Sequence, residues 1–278
     1  MADRLFLRLD DDPLYAPETT VPAGTLREFA VPTALQDHVT HVMAYDELLP
    51  DGVEVSERVL PDGALRLIVD LQADGAALQV VGPSMQPVLL TMRGRLRGLS
   101  ITLRPGAARA LLDTSAHELA QRSAPWEDVA PAPLRPLRGR LDAAPSDAAR
   151  VGLLFDALLT GRQRADTQEQ RLAQRAVSLV MRGAGGCSVR DMAQRLDLGE
   201  RRLQQIFRSQ VGLSPRAWSR LARMHRCLRL LRRPAPLRWA ELAVEAGFCD
   251  QSHLINEFRS LCGVTPEAFV SRSSNTPV

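Results

Sequence analysis

The sequence predicts an α+β protein: a small antiparallel sheet or barrel with helices behind it, followed by an all-helical unit joined through a long helix. Three observations lead there. Between Val55 and Leu103, short β-prone runs (EVSERVL, ALRLIVDL, LQVVGPSM, PVLLTMRG, LRGLSITL) are punctuated by turn residues. From Ser188 to Phe269 one phrase of helix, tight turn and helix is written twice. The charge also changes sign along the chain: from Gln168 onward 18 arginines face nine acidic residues, whereas 17 arginines face 23 acidic residues before it.

The chain has 278 residues, enough for two domains that each bury a core. The boundaries predicted are residues 1–165 and 166–278. Charged residues at 24% and hydrophobic residues at 45% fit a globular protein, and no apolar run approaches the roughly 20 residues of a membrane span. The amino terminus (MADRLFLRLDDD) lacks the basic-then-apolar layout of a signal peptide, which predicts a cytoplasmic protein with no membrane partner. All 35 basic residues are arginine.

Residues 1 to about 30, rich in Asp, Pro and Thr, are expected to wrap loosely on the surface. After the sheet, Pro105-Gly106 opens a helical stretch, and Ser115 to Glu118 has the S-x-x-E form of a capping box. A short helix is expected within Leu134 to Leu141, another from Pro145 to about Thr160, and a linker from Gly161 to Asp166. Gln168 to Arg182 reads as a lead-in helix.

The first copy of the repeat starts at Val189, with Ser188 as cap and Asp191 three residues on. Asp197-Leu198-Gly199 makes its turn, and its second helix is expected from Glu200 to Val211. Leu203, Ile206 and Phe207 lie on one face, leaving Arg201, Gln204, Gln205 and Arg208 on the other. Arg bonds guanine or phosphate and Gln bonds adenine, so this outer face has the chemistry of a duplex reader. Ser214-Pro215 begins a long connecting helix, Arg216 to Arg232, whose arginines are expected to be solvated or near phosphates. The second copy starts at Trp239, with Asp250 as cap and Gln251, Ser252, His253, Asn256 and Arg259 outward of Leu254 and Phe258. Ala193 matches Ala243 at an offset of 50, while Leu203 matches Leu254 and Phe207 matches Phe258 at 51, so the second turn carries one extra residue.

On the series Ala193, Leu203, Phe207, Gly212, Ser214, Pro215, then Ala243, Gly247, Phe248, Asp250, Leu254, Phe258, Gly263, Thr265 and Pro266, the segment resembles the paired helix-turn-helix domain of the AraC/XylS transcription regulators. The sheet-then-helices layout, with PDG before LRLIV and LRPGAARALL after the sheet, resembles the cupin-like sensor domains of the same family. The resemblance implies a sequence-specific regulator that binds double-stranded DNA under control of a small-molecule effector. It admits contact with RNA polymerase and a homodimer. The alternative is an effector-independent DNA-binding protein whose amino domain only mediates dimerisation or partner contact. Carried across by position, the family pattern implies base contact for Arg201, Gln204, Gln205, Gln251, Ser252 and Asn256, with His253 and Arg259 near phosphates.

Catalysis finds no support. The amino half offers His38, His41 and His117, and the His38-x-x-His41 pair could hold a metal if helical, but surface or partner-satisfied histidines are the better reading of it. The sequence implies no catalytic residues, no metal and no cofactor. The four cysteines (Cys187, Cys227, Cys249, Cys262) show no metal-ligand spacing and are expected to be reduced and mostly buried.

Overall fold

In a computed structural model, residues 3–9, 12, 14–16, 18–72, 75–161, 168–183, 185–233 and 238–273 are described. Among the described residues the amino part holds nine strands: β1 (Arg4–Phe6), β2 (Leu26–Glu28), β3 (Val39–Leu48), β4 (Glu54–Val59), β5 (Leu65–Gln72), β6 (Gly75–Val81), β7 (Val88–Arg93), β8 (Arg95–Leu103) and β9 (Ser123–Pro125). They form an antiparallel sheet in the order β2-β3-β8-β5-β6-β9 and a smaller one in the order β1-β4-β7, with β1 parallel to β4. Arg4 ties the two together by forking onto Glu47 of β3 at 2.7 and 2.8 Å.

Period-two alternation gives the large sheet one apolar face. Val42, Ile101 and Leu67 lie across from one another on it, as do Ala44, Leu99 and Val69. That face is covered by α1 (Ala107–Leu112), α2 (Ala116–Leu119), α3 (Trp126–Val129), α4 (Leu137–Ala143) and α5 (Asp147–Gly161), which bury Leu111, Leu119, Trp126, Leu141 and Leu154. The opposite face carries His41, Met43 and Tyr45. Burial and the nearby Asp70 push the Tyr45 phenol well above its ordinary range, so it stays protonated.

The carboxyl part begins with α6 (Gln168–Arg182), the lead-in helix at the bounds the sequence predicts. It continues through α7 (Val189–Arg195), α8 (Glu200–Ile206), a π-helical turn (Phe207–Val211), α9 (Pro215–Leu231), α10 (Trp239–Ala246), α11 (Gln251–Cys262) and α12 (Pro266–Ser273). The inward residues of both copies, Leu203 and Phe207 with Leu254 and Phe258, share one buried cluster with Leu221, Met224 and Leu228 of α9. Cys227 and Cys262 are buried, Cys187 is half-buried and Cys249 is exposed. The expected linker falls largely on residues 162–167, outside the described residues.

The start of the chain departs from the expectation of a loose wrap. Leu5, Leu7 and Leu9 are buried in the carboxyl cluster together with Leu60. Their alternation is that of an extended segment with one apolar face, and the chain doubles back on itself, with Thr20 N–H donating to the Leu5 carbonyl at 2.9 Å and Thr19 Oγ1 to the Leu7 carbonyl at 2.9 Å. Behind them Arg232 of the α9 end takes Asp12 as a bidentate partner at 2.9 and 3.0 Å and also bonds Glu18. His225 of α9, fully buried, donates from Nε2 to the Pro61 carbonyl at 3.2 Å, and burial holds its pKa down.

The His38-x-x-His41 pair is not helical. His38 precedes β3, His41 lies in it beyond a register shift at Val39/His41, and both are buried. His41 Nδ1 sits 3.5 Å from Glu28, which also takes Arg8 at 2.9 Å.

Candidate nucleic-acid interface

Each copy of the repeat is built by local signals. Ser188 Oγ accepts the Asp191 N–H while the Asp191 carboxylate accepts from Ser188, a complete capping box that starts α7 and holds the Asp191 carboxyl below its usual range. The turn to α8 uses Asp197 in the left-handed region (φ 54°), a conformation that Asp tolerates better than most residues, and the Leu198 N–H returns to the Ala193 carbonyl at 2.9 Å. Gly199 at the start of α8 supplies no side-chain cap. In the second copy Asp250 Oδ1 accepts the His253 N–H at 2.7 Å and opens α11.

With Leu203, Ile206 and Phe207 buried, Arg201, Gln204 and Gln205 stand exposed together on the outer side of α8. Gln251, Ser252, Asn256 and Arg259 are likewise exposed on α11. Two further expected residues, Arg208 and His253, also make contacts within the chain. Arg208 lies on the π-helical turn and donates from Nη2 to His117 Nε2 of α2 at 2.6 Å. His253 is half-buried: its Nδ1 accepts the Cys249 N–H at 3.3 Å and its ring meets Phe248 edge-on at 5.4 Å, so it closes the turn before α11.

The predicted helix from Glu200 to Val211 therefore changes pitch at Phe207. The widened turn rests on the amino domain: Ser115 Oγ donates to the Ser209 carbonyl at 3.2 Å, and the Gly106 N–H to the Gln210 carbonyl at 2.8 Å. Gly212 closes it with φ 79°, and a Cβ there would lie 2.6 Å from the Ala116 carbonyl oxygen, so the contact admits only glycine. Gln210 itself is buried and donates to Glu169 of α6 at 3.2 Å.

The connecting helix also differs from expectation. Its arginines Arg220, Arg223 and Arg226 are turned onto neighbouring elements of the same domain. Their i, i+3, i+6 spacing was the available signal, since it places them along one side of α9.

In the amino domain a solvent-open cavity of about 440 Å³ is lined by Phe29, Ala30, Val31 and Val39 on its apolar side, with Glu28, Gln36, Thr40 and Arg104 supplying polar groups. Arg104 Nε donates to the Gln36 carbonyl at 2.7 Å. No described helix is long and apolar enough to cross a membrane.

Two helix-turn-helix units on one connecting helix, each with a polar outer face on its second helix, define a DNA-binding transcription regulator. Residues 192–272 match the family described as "Helix-turn-helix domain", and residues 27–125 match a "Domain of unknown function (DUF6597)". The carboxyl match spans both copies of the repeat, from α7 into α12. Among solved structures, the chain is similar to a DNA-binding transcriptional dual regulator from Escherichia coli K-12 at 22% identity, over 37% of this chain and 92% of that one, with a TM-score of 0.34. It is also similar to ToxT from Vibrio cholerae at 12% identity, over 83% of this chain and 98% of that one, with a TM-score of 0.41. A third similar structure is that of unsaturated fatty acid bound wild-type ToxT from Vibrio cholerae strain SCE256, at 13% identity, over 82% and 94% of the two chains, with a TM-score of 0.41. No curated protein matches the chain.

Proposed function

We propose that this regulator reads a two-part duplex site with α8 and α11, divides near residue 165, and takes a small-molecule effector in its amino domain. The observation that carries the reading is the paired outer face: Arg201, Gln204 and Gln205 on one helix, Gln251, Ser252, Asn256 and Arg259 on the other, all exposed over a shared core. The protein acts in the cytoplasm and by binding alone, without a catalytic step.

The two helices divide the work. Arg201 corresponds to Ser252, Gln204 to Ile255 and Gln205 to Asn256, so α8 carries the longer bidentate groups. Arg201→Ala should relax base preference in one part of the site, at about 1–3 kcal/mol of lost discrimination, while Asn256→Ala changes it little. Arg259→Ala should weaken all sequences alike and reduce the salt slope by about 0.9. Selection of randomised duplexes with each variant measures this. An Asn256→Ala variant that loses more base preference than Arg201→Ala contradicts the division. His253 Nδ1 accepts the Cys249 N–H, which leaves its Nε2 as the donor that would join Arg259 at the phosphates of the α11 side.

The effector reading rests on the solvent-open cavity lined by Phe29, Val39 and Arg104, where apolar and polar groups both face the space. It is tested by screening small molecules for a change in affinity for the selected duplex, then repeating with Ala30→Trp, a change at an exposed wall residue. A response of about 1–3 kcal/mol that vanishes in the variant supports the site. One that persists places the effector elsewhere.

A further inference from the structure

The side of α9 that carries Arg220, Arg223 and Arg226 lies between the two reading units. Arg220 donates from Nε to Glu257 Oε2 at 2.7 Å and from Nη2 to Ser260 Oγ at 3.3 Å, both on α11. Arg226 donates from Nε to the Glu245 carbonyl of α10 at 2.7 Å. Arg223 reaches both ways. Its Nη1 donates to the Gly185 carbonyl at 3.0 Å, in the loop that leads into α7, and its guanidinium lies 5.9 Å from the Phe248 ring centre, in the turn between α10 and α11. The loop is pressed against α9: Gly185 has φ 74°, and a Cβ there would fall 2.2 Å from the Ser219 carbonyl oxygen.

These contacts add direction to a core that lacks it. Apolar burial is non-directional and leaves packed helices able to slide or turn by small amounts. A planar guanidinium bonded to a carboxylate or a carbonyl fixes azimuth as well as distance. Every added base pair moves one half of a site about 3.4 Å along the duplex and turns it roughly 35° about the axis. A reader held rigid in both respects cannot follow such a shift with both helices.

We propose that Arg220, Arg223 and Arg226 are positioning residues that set α11 relative to α8, and thereby restrict the chain to one spacing between the two halves of its site. The proposal rests on the two-part reading above. Without these arginines each helix still meets bases with its own exposed side chains, and what changes is the tolerance for spacing.

The experiment uses the full chain and a duplex selected from randomised sequence, then a series with one or two base pairs inserted or removed between the two halves. The unaltered protein should lose at least about tenfold in affinity for each one-pair change. In Arg220→Gln/Arg223→Met the loss should shrink to less than about threefold, with the base preference of each half retained. Arg223→Lys keeps a donor for the Gly185 carbonyl and should fall between. A merely structural role would weaken all duplexes alike and leave the spacing penalty intact, as would direct phosphate contact by Arg223, which would also lower the salt slope. Either result overturns the proposal. Should the double variant fail to fold, Arg220→Gln alone, at a part-exposed ion pair, is read in the same way, and an unchanged penalty overturns the proposal there too. If the unaltered chain selects no duplex, the two-part reading fails; if it selects one and tolerates every spacing, this proposal alone fails.

Discussion

Replacing Arg232 with alanine should destabilise the folded chain by about 3–5 kcal/mol, because it strands two buried carboxylates. Asp12 and Glu18 are 6% and 3% exposed, and Arg232, 21% exposed, is the cation that bonds both. Hydrogen bonding to Arg232 holds the Asp12 carboxyl below its ordinary value, against the opposing effect of burial. The unfolded chain then binds a proton to Asp12 at a higher pH than the folded chain does. This stabilisation is complete above the unfolded pKa of about 3.9 and is lost as pH falls through the folded value. Denaturant unfolding at neutral pH and again near pH 3 checks both statements, and Arg232→Ala should be less sensitive to the acid step than the unaltered chain. Replacing all three residues together (Asp12→Leu, Glu18→Met, Arg232→Met) should recover most of the loss, since an apolar cluster of similar volume needs no partner. A loss below about 1 kcal/mol for Arg232→Ala would mean that the pair behaves as an exposed one.

Leu7→Ala should cost about 2–5 kcal/mol, the range for removing a fully buried leucine side chain. Its effect should be felt in the DNA-binding domain, more than 150 residues away in sequence, because Leu7 is 1% exposed within the cluster that also holds Trp218 and Leu221. Unfolding followed by Trp218 fluorescence, in a chain with Trp126 and Trp239 replaced by phenylalanine, should shift together with loss of duplex binding. If duplex binding and the Trp218 environment survive while the amino part melts first, the amino-terminal segment does not belong to the carboxyl core. The same packing bears on truncation: a fragment beginning at residue 168 lacks Leu5, Leu7, Leu9 and Leu60, and its uncovered core should make it less stable than the domain in the full chain.

Much of the carboxyl domain was legible because its determinants are local. Ser188 and Asp250 mark their helix starts, Ser214-Pro215 opens α9, and apolar spacing assigns Leu203, Phe207, Leu254 and Phe258 to the core. The strand content of residues 54–103 was legible from alternation and turns. What escaped depends on distant partners. Leu5, Leu7 and Leu9 do alternate, but charged and turn-forming residues follow them, and only the carboxyl cluster gives their apolar face a place. The π-helical turn at Phe207 reads as ordinary helix until Gly106 and Ser115 bond its carbonyls. That Arg208 also bonds His117, and that His253 also packs edge-on against Phe248, is invisible in spacing alone. The His38 and His41 spacing left a helical pair open beside partner-satisfied histidines, whereas His41 lies in β3, His38 precedes it and both are buried.

The exposed faces of α8 and α11, in a carboxyl part with 18 arginines against nine acidic residues, should bind duplex DNA through phosphate and base contacts together. The most direct test is equilibrium binding of the full chain to its selected duplex and to an unrelated duplex between about 50 and 200 mM salt. Binding should be tighter to the selected duplex at every salt concentration. For both duplexes the log-log plot should fall by about 0.9 for each phosphate neutralised. Affinity that does not change with salt, or that is equal for the two duplexes throughout, would contradict this mode of binding.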